Sequence, residues 1–275
     1  MMFQNEPTDW KNLQDRVCQV LSEAGFNANS PYKIETVRGE TEVDVHAIDT
    51  SGTPNLVYLC ECKHWQTNVS QGVLRTFRTV MADSGAHVGF VISKAGFQPG
   101  CYDVITNTNI QLVTWTELQE LFEQRWYENH FVPTLRSAVG PLFDYTMPLN
   151  SSRDRFFREN GYAFDRFYRD LILRYDAQAV WAYALCMRNN MMRAMTPKPV
   201  LPLRTWWRGM AVTNSLLTFS PSVLDARGWS DLLTALIAFC KGATEEFDVI
   251  VGTPYRDEYP VPHGLLWVDL NKESL

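Results

Sequence analysis

Two stretches of the chain carry charged side chains at strand spacing, EVDVHAID (42–49) and LVYLCECKHW (56–65). Side chains alternate faces along an extended strand, so Glu61 and Lys63 share one face of the second stretch while Cys60, Cys62 and His64 share the other. Folding the stretches as a hairpin about Gly52 and Thr53 sets Asp44 across from Glu61 and Glu42 across from Lys63. Directly opposed Cβ atoms lie about 4.5–5.5 Å apart, which would gather two carboxylates and an ammonium on one face. A register shifted by one residue would send Asp44 to the other face.

Carboxylates that close repel unless a cation lies between them or one takes up a proton. Mg²⁺ suits such a pair, because it prefers hard oxygen ligands, accepts one or two carboxylates and leaves its other positions to water and phosphate. Mn²⁺ would serve as substitute. Lys63 would orient or help deprotonate an attacking water and neutralise developing negative charge. The same three residues also fit a charged, solvated sheet face, and by themselves they leave both readings open. Cys60, Cys62 and His64 resemble a metal cluster, but residues two apart on a strand are about 6.6 Å apart, whereas two thiolates on one zinc lie within about 4.6 Å. They read as core. His46 shares the face of Asp44 and could support it, the plainer reading being a surface histidine.

The elements that must position these residues follow from periodicity and turn chemistry. Trp10, Leu13, Val17, Val20 and Leu21 recur at helical spacing between Thr8 or Asp9, as N-cap, and Gly25, as stop. Strand-like runs cover 32–37, 42–48 and 56–63. A helix over 69–82 precedes the strand AHVGFVIS, a polar helix near 98–107, the strand IQLV and a helix over 116–127. This order predicts one α/β domain with a mixed sheet covered by helices. On the helix over 69–82, Val69, Val73, Phe77 and Val80 form the apolar stripe. Gln71, Arg75 and Arg78 lie opposite, where they could grip a phosphate backbone or simply be solvated.

The helix ending in GF, then RGETEVDVHA, YLCECKHW, a further helix and VGFVIS resembles the Mrr-type catalytic domain of the PD-(D/E)xK restriction-endonuclease superfamily over roughly 8–125. The resemblance implies a restriction-endonuclease-like mixed sheet flanked by helices, with Asp44, Glu61 and Lys63 as the catalytic set and Asp44 and Glu61 as Mg²⁺ ligands. It also implies a metal-dependent endonuclease acting on phosphodiester bonds in DNA, in restriction or anti-phage defence. A double-strand cut would require two sites, hence a homodimer or larger assembly. The family often offers a Glu from its first helix. Here that position is Gln14, with Asp15 beside it, so either Asp15 substitutes or the shell lacks that carboxylate. Gln14 itself is expected to face solvent. The departure keeps a second reading open, a nuclease-fold module without cleavage that binds nucleic acid or serves assembly.

The domain is expected to span 1–130, followed by a Pro-bearing linker over 131–148 and a C-terminal domain over 149–275, mainly helical α+β. In that half Phe164, Phe167, Tyr168, Leu171, Ile172 and Tyr175 form an amphipathic stripe, 177–195 reads as another helix, and 230–240 as a third. FDVIVG reads as a strand, and GLLWVDL follows a Pro-rich loop. Net charge is −7 over 1–130, +5 over 131–205 and −4 over 206–275, giving −6 in all. The basic middle makes Arg166, Arg169 and Arg174 candidate phosphate contacts, a solvated Arg-rich face being the alternative. Trp206, Trp207 and Arg208 beside Gly209 could line a pocket, so this half is expected to recognise substrate, a ligand or a partner protein. With 45% hydrophobic and 20% charged residues, the composition excludes disorder and coiled coil. No apolar run reaches the roughly 18 residues of a membrane span, and the start lacks a secretory leader. A cytoplasmic address follows, with the six cysteines as reduced thiols.

Overall fold

The computed structural model describes residues 1–147, 151–160, 166–187, 199–208 and 218–251. The chain divides into two units, Met1–His130 and Phe131–Leu275. The N-terminal unit opens with α1 (Trp10–Glu23). Asp9 caps it by accepting from Asn12 N at 2.8 Å, and Gly25 ends it at φ +92°, where a Cβ would meet Asn129 Nδ2 at 2.8 Å. Leu13, Gln14, Val17, Val20 and Leu21 form its buried face.

Seven strands and three more helices follow: β1 (Asn27–Asn29), β2 (Tyr32–Thr36), β3 (Gly39–Val43), β4 (Val45–Asp49), β5 (Leu56–Lys63), α2 (Gln71–Ser84), β6 (Val88–Ser93), α3 (Gly100–Ile105), β7 (Ile110–Val113) and α4 (Trp115–Trp126). The main sheet has the order β1-β4-β5-β6-β7. β1, β4 and β5 run antiparallel, whereas β5, β6 and β7 run parallel. The β4–β5 pairing sets Val45 opposite Cys60 and His46 opposite Leu59, the register expected from the Gly52–Thr53 turn. The run 42–48 is not one strand. It breaks at Asp44, and Glu42 belongs to a separate β2–β3 hairpin, where it faces Lys33 rather than Lys63.

One face of the main sheet packs on α2 through Leu59, Leu74, Phe77, Met81 and Val91. Gly89 keeps that approach close, since a Cβ there would lie 2.9 Å from the Phe77 ring. The other face carries Tyr58 and Phe90, which meet Phe26 and Phe122 edge-on. Phe122 belongs to α4, whose capping box is formed by Thr114 and Glu117.

The regular elements of the C-terminal unit among its described residues are all helices: α5 (Val132–Thr146), α6 (Ser151–Asn160), α7 (Arg166–Cys186), α8 (Leu203–Arg208), α9 (Pro221–Leu224) and α10 (Trp229–Val251). The stretch expected as a linker is α5. Pro133 falls in its first turn, where no intrahelical N–H is required, and Leu135, Val139 and Leu142 are buried. The stretch expected as the strand FDVIVG is likewise helical over Phe247–Val251, where Phe247 and Val251 extend the buried stripe of Leu236, Cys240 and Ala243 along α10. The helix expected over 177–195 is, as far as Cys186, the continuation of α7, and 188–195 lie outside the described residues. Tyr168 and Leu171 are buried there, but Phe167 is exposed. Trp207 is core rather than pocket lining, buried against Trp181 and Phe219. Phe164, Gly209, the Pro-rich loop and GLLWVDL lie outside the described residues. All six cysteines are free thiols. Among the described residues no helix is long and apolar enough to cross a membrane.

Candidate active site

Glu61 and Lys63 occupy the C-terminal end of β5, two residues apart on one face, and the Lys63 ammonium donates to Glu61 Oε1. Their side chains are 24% and 18% exposed, so the pair is largely desolvated yet open to a ligand. Burial pushes the Glu61 carboxyl upward, Lys63 opposes that rise, and the charge of Asp44 adds to it. Asp44 thus lies close enough to the end of β5 for its charge to bear on Glu61.

Asp44 stands at the break between β3 and β4, outside both ladders, and its carboxylate takes over hydrogen bonding that a strand would otherwise supply. Oδ2 accepts from the backbone N–H of Cys62 at 2.7 Å, and Oδ1 accepts from Gln14 Nε2 at 3.0 Å. Gln14 is 2% exposed. The expectation of a solvent-facing Gln14 is thus corrected. It lies on the apolar stripe of α1 with Leu13, Val17 and Leu21, and that position is the signal the sequence offers. Its Oε1 is buried with no hydrogen-bond partner. Asp15 points away from the site and pairs with Lys11 at 2.7 Å, so it does not stand in for a first-helix carboxylate.

His46 is buried, not surface-exposed, and its ring stacks on Tyr32 at 4.2 Å. Burial depresses its basicity. Cys60 and Cys62 are core, and burial pushes both thiols upward, away from the thiolate form a metal would need. The His64 imidazole Nε2 is 2.9 Å from Pro7 O. Two residues beside the site escape the sequence reading. Parallel pairing sets Ser93 beside Lys63, and the next backbone N–H, of Lys94, donates to Lys63 O at 3.0 Å. This brings the backbone of an exposed lysine beside that of Lys63, an adjacency legible only once β6 is paired parallel to β5. Trp65, 43% exposed, lies 5.5 Å from Lys63 Nζ by its ring centroid.

The remaining candidates are surface groups. Arg75 and Arg78 are exposed on α2; Arg75 donates to Gln71 Oε1 at 3.3 Å and Arg78 to Val104 O at 2.8 Å. The buried face of α2 is Leu74, Phe77 and Met81; of the expected stripe Phe77 lies on it, Val73 and Val80 are partly buried, and Val69 is buried ahead of the helix. Arg166, Arg169 and Arg174 are exposed on α7, and Arg174 pairs with Glu246 at 2.9 Å.

An Asp beside a strand end, an E-x-K on the next strand and a first-helix side chain touching that Asp form one spatial cluster. Residues 6–122 match the Mrr_cat family model, described as a restriction endonuclease. The Mrr_cat match covers the sheet, α1, α2 and the cluster itself. No curated protein matches the chain. A solved structure, the crystal structure of a protein of unknown function, AF1548, is similar over 66% of this chain and 97% of its own, at 14% identity and a TM-score of 0.36. A likeness of that size bears on neither fold nor activity.

The donor set suits a small, hard cation. Asp44 and Glu61 supply two carboxylates, each oxygen of which has more than one lone pair, and the unpartnered Gln14 Oε1 supplies a neutral oxygen. No group of three or more His, Cys, Asp or Glu that could hold a metal occurs among the described residues. A cation with one or two protein carboxylates and water or phosphate elsewhere is the Mg²⁺ pattern.

Proposed function

We propose that the Mrr_cat unit is a Mg²⁺-dependent endonuclease that hydrolyses phosphodiester bonds in DNA and serves restriction or anti-phage defence. The observation that carries this reading is the convergence of Asp44, Glu61 and Lys63: the Asp44 carboxylate accepts from the N–H of Cys62, the residue between Glu61 and Lys63, which pair with one another. Asp44 and Glu61 would hold the cation. When bound, Mg²⁺, or Mn²⁺ in its place, supplies Lewis-acid stabilisation of the phosphate and an acidified water.

The chain's own groups account for the rest of the reaction. Hydrolysis forms a bond from a water oxygen to phosphorus, breaks the bond from phosphorus to the leaving sugar oxygen, and returns one proton to that oxygen. Lys63, held by Glu61, directs its remaining N–H donors to phosphate oxygens and offsets the charge that develops on them. The Cys62 N–H and the Gln14 amide fix the direction of the Asp44 carboxylate. A duplex cut would draw on two copies of the site, hence a homodimer or larger assembly, with the C-terminal unit engaging substrate, a ligand or a partner protein.

One observation favours the second reading, a nuclease-fold subunit that binds or assembles without cutting. An amide donor occupies Asp44 Oδ1. Plasmid cleavage with Mg²⁺ and with EDTA separates the two: nicking or linearisation that needs Mg²⁺ and disappears in Asp44→Asn supports the enzyme, and binding without cleavage supports the subunit.

A further inference from the structure

We propose that Trp65, with Trp10, forms a stacking platform for unpaired bases beside the scissile phosphate, so that this site prefers DNA whose bases are unpaired or splayed, single strands above all. The proposal rests on the nuclease reading of the Asp44–Glu61–Lys63 cluster and names its substrate class. Trp is among the side chains that lose most by exposure, yet Trp65 is 43% and Trp10 61% exposed. Neither position is random with respect to the cluster. Trp65 follows Lys63 by two residues, and its ring lies within cation–π range of the Lys63 ammonium. Trp10 precedes Gln14 by one helical turn, on the same side of α1. The His64 contact to Pro7 O joins the chain leaving β5 to the chain entering α1, so the segments carrying both rings are held together.

An ammonium beside an exposed ring matches the two halves of one nucleotide. Phosphate meets Lys63, while the base lies on the indole. In a duplex both faces of a base are covered by its neighbours, so a flat protein ring finds a partner only where the base is unpaired or splayed. An acidic protein, net −6, gains little from general attraction to phosphate. Local stacking then carries proportionally more of the binding.

The test uses the full chain and a short fluorescein-labelled oligodeoxynucleotide, single-stranded or annealed to its complement, followed by anisotropy in EDTA so that nothing is cut. The single strand is expected to bind about tenfold or more tightly than the duplex. Trp65→Ala should weaken single-strand binding roughly 5- to 150-fold, the equivalent of one lost base–aromatic stack, Trp10→Ala should weaken it in the same direction, and Trp65→Phe should restore most of the loss. Duplex binding should not change. Unaltered single-strand affinity in Trp65→Ala, equal losses on both substrates, or a changed oligomeric state without a binding loss would each overturn the platform. Circular dichroism melts confirm that the variants fold. If Asp44→Asn abolishes cleavage while Trp65→Ala binds normally, the platform fails and the nuclease reading stands. If Trp65→Ala discriminates between the substrates while nothing is cleaved in Mg²⁺, the nuclease reading fails and the platform stands.

Discussion

Gln14 donates its side-chain amide to the Asp44 carboxylate over 3.0 Å from a fully packed position on α1. A neutral donor there satisfies Asp44 Oδ1 without adding charge, whereas a carboxylate would repel Asp44 until a cation separated them. Gln14→Glu is therefore expected to lower stability in EDTA and to raise Mg²⁺ affinity about tenfold, the factor that 1.4 kcal/mol represents. Thermal melts with and without Mg²⁺ measure both, and a metal-independent melt in Gln14→Glu would show that this side chain does not face the cation position.

Asp44, Glu61 and Lys63 act as one unit, so Asp44→Asn, Glu61→Gln and Lys63→Ala should each abolish cleavage, and doubles should be no worse than singles. The variants differ in structural cost. Asp44→Ala strips the Cys62 N–H of its acceptor and Gln14 of its partner, an expected loss of about 1–3 kcal/mol by denaturant titration. The isosteric Asp44→Asn is the cleaner probe of charge. Lys63→Ala leaves Glu61 desolvated without its counter-ion, so its carboxyl should rise further and Mn²⁺ binding should fail at a higher pH than in the parent chain.

The hairpin register is legible in the sequence, because DTSGTPN can only turn and the apolar alternation on either side admits one parity. The break at Asp44 is not, since EVDVHAID alternates without interruption and nothing local says that Glu42 and Val43 leave for another hairpin. Residue type alone misplaces Gln14, whose spacing to Leu13, Val17 and Leu21 already puts it on the buried stripe. β1, three polar or small residues paired to β4, carries no pattern of its own. In the C-terminal half two prolines conceal α5, and the β-branched residues of FDVIVG outweigh a helical stripe that only tertiary packing makes decisive.

The clamp between Asp49 and Arg125 should govern acid stability of the N-terminal unit. The guanidinium donates to both carboxylate oxygens at 2.5 and 3.1 Å, ties β4 to α4, and covers the Phe26 ring at 4.1 Å. Arg125 holds the Asp49 carboxyl well below the usual range. A carboxyl depressed in the folded state contributes stability above its unfolded value, about 3.9, and loses it as pH falls through the folded one. Asp49→Asn should thus cost about 1.5–3 kcal/mol near neutrality, with the difference from the parent chain shrinking below about pH 4. A pH-independent difference in urea midpoints would assign the loss to packing instead.

Salt dependence distinguishes arginines that hold DNA from arginines that hold the protein. Arg174 is already committed to Glu246 on α10, and the Tyr175 hydroxyl donates to the same carboxylate at 2.6 Å. Arg174→Glu should therefore disturb the helical unit and leave the slope of log affinity against log salt unchanged. Arg166 and Arg169 precede it on the exposed side of α7. If they neutralise phosphates, reversing both should weaken binding about equally on all sequences. The slope should then flatten by about 0.9 for each phosphate left unneutralised on duplex DNA, or by about 0.7 on a single strand. The same measurement on Arg75→Glu with Arg78→Glu tests α2, which packs on the sheet face bearing Glu61 and Lys63. A flattened slope there, with none in the α7 pair, would assign substrate grip to the N-terminal unit and leave the helical unit to a ligand or partner protein.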